Sequence, residues 1–182
     1  MRVITGTARG RKLAALEGDS VRPTSDMVKE AMFSIIQFDI EGAMVLDLFS
    51  GTGQLGIEAV SRGAKECRFV DQSAESLKCT RENIAACGFG GKCTVTQANA
   101  IDFLRQVRLT FDIALLDPPY NKGLIPEALP LLEVHMSDRG IIVCEHEKEL
   151  VLPETVGRMT RTKVYRYGKI GVTVYRNSIE EE

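Results

Sequence analysis

The chain has 182 residues, enough for one domain with a full core and a small appendage. Hydrophobic residues make up 44% and charged residues 26%, the balance of a soluble globular protein, and no run of about 18 consecutive apolar residues suggests a membrane span. The net charge is −2; the five cysteines are odd in number with no Cys-x-x-Cys pair, and no apolar signal core follows Met1, so a reducing cytoplasm is expected, with neither a disulfide framework nor a zinc knuckle.

Residues 1–20 read as a small extended β-element, Val3-Ile4-Thr5, Gly6, Gly10 and Lys12-Leu13. Arg22-Pro23-Thr24-Ser25-Asp26 then leads into a helix through Glu30 and Phe33 to Ile36, with Thr24 or Ser25 as N-cap and Met32, Ile35 and Ile36 as its apolar stripe. A boundary near 22 would separate this element from a main domain over 23–182. Apolar strands and helical stretches alternate from there. Ala43–Asp47 is a buried strand, followed by a Gly-rich turn and a helix from about Gln54 to Arg62. The pattern repeats with strand Glu66–Asp71 and helix Ala74–Cys87, then strand Lys92–Gln97 and helix Ile101–Arg108. Strand Phe111–Leu116, helix Ile125–Glu133 and strand Gly140–Glu145 complete it. Such alternation means a parallel sheet with helices on both faces, and ligands in such sheets sit outside the C-terminal strand ends.

The end of the chain breaks the rule. Lys163–Gly168 and Val172–Arg176 are β-branched and aromatic, with Gly168 and Gly171 around a tight connection, which predicts a hairpin and a last strand running antiparallel. The expected fold is therefore α/β and Rossmann-like: a mostly parallel, seven-stranded sheet of the class I methyltransferase type closed by an antiparallel hairpin, with the small N-terminal β-element added.

Charge is unevenly distributed. Residues 1–16 hold Arg2, Arg9, Arg11 and Lys12 without an acid, and 155–179 hold Arg158, Arg161, Lys163, Arg166, Lys169 and Arg176 without an acid. A basic patch on a nearly neutral protein can bind phosphates. The competing reading is a set of solvated strand faces.

Asp47-Leu48-Phe49-Ser50-Gly51-Thr52-Gly53-Gln54-Leu55-Gly56 leaves a buried strand and enters a helix, where glycines let backbone approach a ligand. Its Gly-x-Gly-x-x-Gly spacing also fits a dinucleotide. Two acids refine the choice. Asp47 at the strand end would repel a pyrophosphate but suits the ammonium of a methionine moiety, while Asp71, ending the next strand, suits a ribose diol. The former favours S-adenosylmethionine; the latter fits either cofactor. A tight turn without ligand is the plainer alternative. Asn99, after the third strand, stands where an adenine ring would be contacted, and equally where a helix cap is needed.

Asp117-Pro118-Pro119-Tyr120 directly follows the fourth strand. Proline holds the preceding residue extended and donates no ladder hydrogen bond, so Asp117 projects from the strand end. The exocyclic amine of a base is a poor nucleophile because its lone pair is delocalised into the ring. A carboxylate and a backbone carbonyl can bind its two hydrogens and favour the pyramidal form, while an aromatic ring stacks on the base. No metal or covalent intermediate is required. A Pro-rich strand end with a surface tyrosine is the alternative.

Together these motifs resemble the amino-methyltransferases of the class I fold. Gly6–Leu13, Arg22–Asp26 with Glu30–Phe33, Val45–Gly63, Asp117–Tyr120 and Tyr165–Gly168 narrow the resemblance to the RsmD-type family of bacterial small-subunit (16S) ribosomal RNA guanine-N2 methyltransferases. The resemblance implies S-adenosylmethionine as cofactor and a guanine 2-amino group as acceptor. The partner would be ribosomal RNA in a small-subunit particle, with a monomeric enzyme and no membrane or metal. It implies cofactor contacts from Asp47, Phe49, Gly51, Gly53, Asp71, Gln72, Asn99 and Ala100, catalytic roles for Asp117, Pro118, Pro119 and Tyr120, and RNA contacts from Arg9, Arg11, Lys12, Arg22 and Thr24. Asn99 departs from the aspartate common in class I enzymes. Rival readings are an N6-adenine methyltransferase acting on DNA, a protein glutamine methyltransferase, a non-catalytic RNA-binding assembly factor and a nicotinamide-dependent oxidoreductase. The first needs a target-recognition domain for which the length leaves little room, and the second usually has Asn where Asp117 stands. Intact Asp47 and Asp117 oppose the third, and the last leaves the tetrapeptide unexplained.

Overall fold

A computed structural model describes residues 1–16 and 26–177. The helix cap expected at Thr24 or Ser25, and the RNA contacts expected from Arg22 and Thr24, lie outside the described residues. Helix α1 spans Asp26–Ile35. Five strands then alternate with helices: β1 Met44–Leu48, α2 Gln54–Ser61, β2 Glu66–Asp71, α3 Ala74–Cys87, β3 Cys93–Gln97, α4 Ala100–Gln106, β4 Phe111–Leu116, α5 Leu124–Glu133 and β5 Met136–Glu147. Three further strands follow, β6 Thr155–Val156, β7 Met159–Tyr167 and β8 Ile170–Asn177.

One sheet holds them in the order β3-β2-β1-β4-β5-β8-β7-β6. β1 to β5 pair in parallel, and β8 runs antiparallel between β5 and β7. The expected fold class holds, with one strand beyond the seven foreseen: β6, two residues paired to the start of β7. The hairpin turn falls at Gly168, whose φ is 61°. Gly171 lies within β8 instead, and is small because a Cβ there would come within 2.5 Å of the His146 ring.

Two apolar clusters sandwich the sheet. Val28, Met32 and Phe33 of α1, Leu55 and Ile57 of α2 and Ile84 of α3 pack on one face; Ile101 and Leu104 of α4 and Ile125 and Leu129 of α5 pack on the other. Strands buried on both faces are expected to read as continuous apolar runs, as Phe111–Leu116 does. Helix ends follow local chemistry. Ser73 Oγ caps α3 by accepting from the Ser76 N–H at 3.1 Å, and Gly88 ends it at φ 73°.

The small extended β-element expected at the N-terminus is reduced, among the described residues, to a minimum of pairing. Its residues make one isolated bridge, Arg2 to Lys12, and lie along the α1–α2–α3 face, with Val3 and Leu13 inside its cluster. Eight consecutive polar or small residues between Ile4 and Leu13 leave too little alternation to sustain a strand pair. Side chains of α2 and α3 accept the N–H groups of Ile4, Thr5, Ala8 and Ala14, and backbone carbonyls accept those of Val3, Thr7 and Arg9 to Arg11.

Candidate active site

A cleft of about 470 Å³ opens at the C-terminal ends of β1, β2, β3 and β4. Phe49 and Gly51 reach it from the loop after β1, Asp71 and Gln72 from the end of β2, and Ala98 to Ile101 from the segment after β3. Asp117, Pro118 and Pro119 close it after β4, with Leu124 at the start of α5. Its size falls within the roughly 300–1,000 Å³ of small-molecule sites, and its mixture of apolar wall and few polar groups is typical of them.

The loop after β1 is held from beneath. Asp47 is 1% exposed, and its Oδ2 accepts the Gly56 N–H at 2.8 Å. Burial pushes its carboxyl up to about 8, helped by the charges of Asp117 and Asp71 and opposed by that N–H. Asp47 therefore supports the floor of the site and is absent from the cleft wall among the described residues. The three glycines also divide. Gly51 lines the cleft, and a Cβ there would meet no protein atom within 4 Å. Gly53 and Gly56 face inward, where a Cβ would approach Thr80 Cγ2 to 2.8 Å and the Phe69 ring to 2.3 Å respectively. Gly53 is further fixed by φ 85° at the N-cap of α2. Phe49, a non-glycine residue at φ 65°, turns the chain sharply at the cleft edge; such backbone persists where the surroundings impose it.

Asp71 carries two tasks. Its Oδ2 accepts the Gly51 N–H at 2.8 Å and its Oδ1 the Ser73 N–H at 2.9 Å, so it fixes the loop while its carboxylate edge lines the cleft. A carboxylate offers about four acceptor positions, and these bonds use two of them. Asn99 does cap α4, accepting from the Ile101 and Asp102 N–H groups at 2.9 and 3.3 Å. Because that cap employs Oδ1, the amide end left for the cleft is the Nδ2 donor. Ala100 follows it in the wall.

On the opposite side Asp117 and both prolines line the same cleft as Gly51 and Asp71. Tyr120 stands just beyond. Its hydroxyl donates to Glu145 Oε1 at 3.3 Å, and its ring lines a neighbouring cleft beside β7 and β8. Glu145, 2% exposed on β5, had no signal in the sequence, since its strand reads as a plain apolar run with an acid at its end.

The family model described as conserved hypothetical protein 95 matches residues 1–176. Ribosomal RNA small subunit methyltransferase D of Escherichia coli (strain K12) is 32% identical over 184 residues, covering 100% of this chain and 92% of its own. This chain belongs to the RsmD family. Another relative of this RsmD-family protein is YlbH of Bacillus subtilis (strain 168), 38% identical over 181 residues that cover 97% of this chain and 98% of YlbH. Among solved structures, the Escherichia coli protein yhhF matches with a TM-score of 0.88 and 32% identity over 98% of both chains.

The N-terminal segment of this RsmD-family chain reaches the loop after β1 through buried polar residues that the sequence does not mark. Asn83, 2% exposed on α3, donates to the carbonyls of Thr52 and Ala14 at 3.0 and 3.1 Å and accepts the Ala14 N–H at 2.7 Å. Glu58, fully buried on α2, accepts the Ile4 and Thr5 N–H groups at 2.8 and 3.0 Å. It also pairs with Arg62 at 2.8 Å and Lys29 at 3.8 Å. Lys29 in turn donates to the Arg2 carbonyl at 2.8 Å; burial lowers its ammonium pKa, against the pull of Glu58. A buried charge without a partner is costly, so these contacts act as a unit. Lys29 and Glu58 are 29 positions apart, and nothing local in either helix marks them as a pair. Arg9, Arg11 and Lys12 are exposed around an open concavity that Thr7 and Ala86 complete.

Proposed function

We propose that this protein transfers a methyl group from S-adenosylmethionine to the exocyclic 2-amino group of a guanine in small-subunit ribosomal RNA, in the cytoplasm and as a monomer. The observation that carries the reading is the meeting of Asp71, Gly51 and Asp117-Pro118 in one cleft. The relatives' names supply the polymer: the Escherichia coli protein is called a ribosomal RNA small subunit methyltransferase.

The residues present fit the cofactor. Asp71 offers acceptors to a ribose diol, Gly51 leaves room for close approach, and Phe49, Val70, Ala98 and Ile101 supply apolar wall for a purine ring. Asn99 would donate from Nδ2 to a ring nitrogen, where an aspartate would accept instead. Asp47 and Gly53 act from beneath the loop, and Gln72 and Ala100 from the wall. S-adenosylmethionine, when bound, supplies a methyl group on a positively charged sulfur.

The rest falls to the chain. Asp117 accepts one N–H of the base amine and the Pro118 carbonyl the other, localising the lone pair on nitrogen. Pro119 stiffens the bend and Tyr120 stacks on the base. Holding nucleophile and methyl in line accounts for about 7–11 kcal/mol of barrier in well-oriented systems. Arg9, Arg11 and Lys12, with Arg22 and Thr24, would grip RNA, making residues 1–22 an RNA-binding appendage to the 23–182 domain.

Methyl-labelled S-adenosylmethionine offered with naked ribosomal RNA, unmodified small subunits and duplex DNA tests this. Label recovered in N2-methylguanosine from a ribosomal substrate is expected. Label in N6-methyladenine from DNA would replace the proposal with its nearest rival, and no label despite cofactor binding would leave a non-catalytic binding role.

A further inference from the structure

The second cleft, about 390 Å³, lies between the acceptor motif and the β7–β8 hairpin, and neither the cofactor nor the transferred methyl needs it. Tyr120 forms one wall; Tyr167, Lys169 and Ile170 form another. Strand register extends the hairpin wall along β7. Tyr167 pairs with Ile170, Tyr165 with Val172 and Lys163 with Val174, so all three β7 side chains share one sheet face. The Tyr165 and Tyr167 rings are nearly parallel, at 13° with centroids 6.5 Å apart, and both are half-buried against the core while Lys163 and Lys169 are exposed.

Stacked aromatic rings beside lysines are what a single-stranded nucleic acid requires: bases lie on the rings and phosphates meet the ammonium groups. Packing of two neighbouring tyrosines on one face of β7 would explain the rings alone, but not their continuation into a cleft that contains Tyr120. Resting on the RNA reading above, we propose that Tyr120, Tyr167 and Tyr165, with Lys169 and Lys163, form a track for the unpaired nucleotides adjoining the methylated base. Glu147 and Glu149 line the β5 side of the cleft, Glu147 accepting the Asn121 N–H at 3.2 Å. Carboxylates there exclude a phosphate and accept the N–H groups of a base, so a base enters the cleft and the backbone runs along the lysines.

Binding of a fluorescent single-stranded oligoribonucleotide, and of its duplex, to the full chain tests the track. Tyr167→Ala and Tyr165→Ala should each weaken single-strand binding roughly 5- to 150-fold, while Tyr167→Phe retains it. The double variant Lys163→Ala/Lys169→Ala, confined to exposed positions, should flatten the salt dependence. Cofactor affinity and melting temperature monitor folding. Unchanged single-strand affinity in folded Tyr167→Ala and in the lysine variant would overturn the track, as would absence of single-strand binding by the parent chain. Methyl transfer separates this result from the underlying function. Parent protein that methylates ribosomal RNA at a rate indifferent to Tyr165 and Tyr167 keeps the function and loses the track. Parent protein that binds the strand through these rings yet methylates no RNA keeps the track and loses the function.

Discussion

The two sides of the cleft are built differently. On the β1–β2 side the backbone carries the shape, and side chains hold it, Asp47 to Gly56, Thr80 to Gly51 and Asn83 to Thr52 from buried positions and half-buried Asp71 to Gly51 and Ser73. On the β4 side two prolines set the bend and Asp117 lines the cleft directly, while Tyr120 stands just beyond it in the neighbouring cleft. One side is a scaffold for binding whose loss spreads into the fold. The other, proposed above as the reacting edge, carries groups that should be removable without disturbing the scaffold.

The sharpest break of that contrast is Asp117→Ala. It should reduce single-turnover methyl transfer at least roughly 100-fold while leaving cofactor affinity within about twofold; a parallel loss of both, by calorimetric binding and quenched turnover, would merge the two sides. Asp71→Ala addresses the scaffold. Losing a charged acceptor and freeing two N–H groups should weaken cofactor binding roughly 10- to 100-fold and lower the melting temperature. Unchanged affinity would remove Asp71 from the ribose contact. Asn83→Ala strips partners from Thr52 and Ala14, at a cost of about 1–3 kcal/mol in denaturant unfolding. Stability equal to that of the parent would show that the N-terminal segment is not tied to the loop through this amide.

A smaller effect is set by pH. Asp47 titrates near 8 in the fold against an ordinary 3.8, so between these values the folded protein holds a proton that the unfolded chain does not. Unfolded chain binding fewer protons means stability falls as pH rises through that window, levelling above about 8. Asp47→Asn should remove this component, so its melting temperature should decline less than the parent's from pH 5 to pH 8; identical slopes would place the Asp47 proton elsewhere. The smallest change is expected far from both walls. Replacing Arg9, Arg11 and Lys12 with Ala should raise the KM for RNA and flatten its salt dependence by about 0.7–0.9 per lost phosphate contact, and an unaltered slope would return these residues to a solvated face.

Legibility followed the range of the interactions. The loop from Asp47 to Gly56, strand Phe111–Leu116, helix Ala74–Cys87 and the terminal hairpin were readable because glycine, proline and apolar periodicity act within a few residues. The tetrapeptide was readable for the same reason. Lys29 with Glu58, Asn83 with Ala14, and Tyr120 with Glu145 were not, since each joins elements that only the folded sheet brings together. The basic ends show the same limit. Arg158, Arg161 and Arg176 look as available as Arg9 and Arg11 in the sequence, yet they pair with Glu133 and Asp138, with Glu154 and with Asp39. A count of charges does not tell which are already engaged.

The atom that receives the methyl group decides the proposed chemistry most directly. Once the labelled guanosine has been mapped, ribosomal RNA carrying inosine at that one position can be compared with the unaltered RNA in a single-turnover transfer assay. Inosine keeps every edge of guanine except the 2-amino group. Transfer to the guanosine RNA with none to the inosine RNA, which should still compete for binding, is the predicted result; label entering the inosine RNA at that position would contradict it.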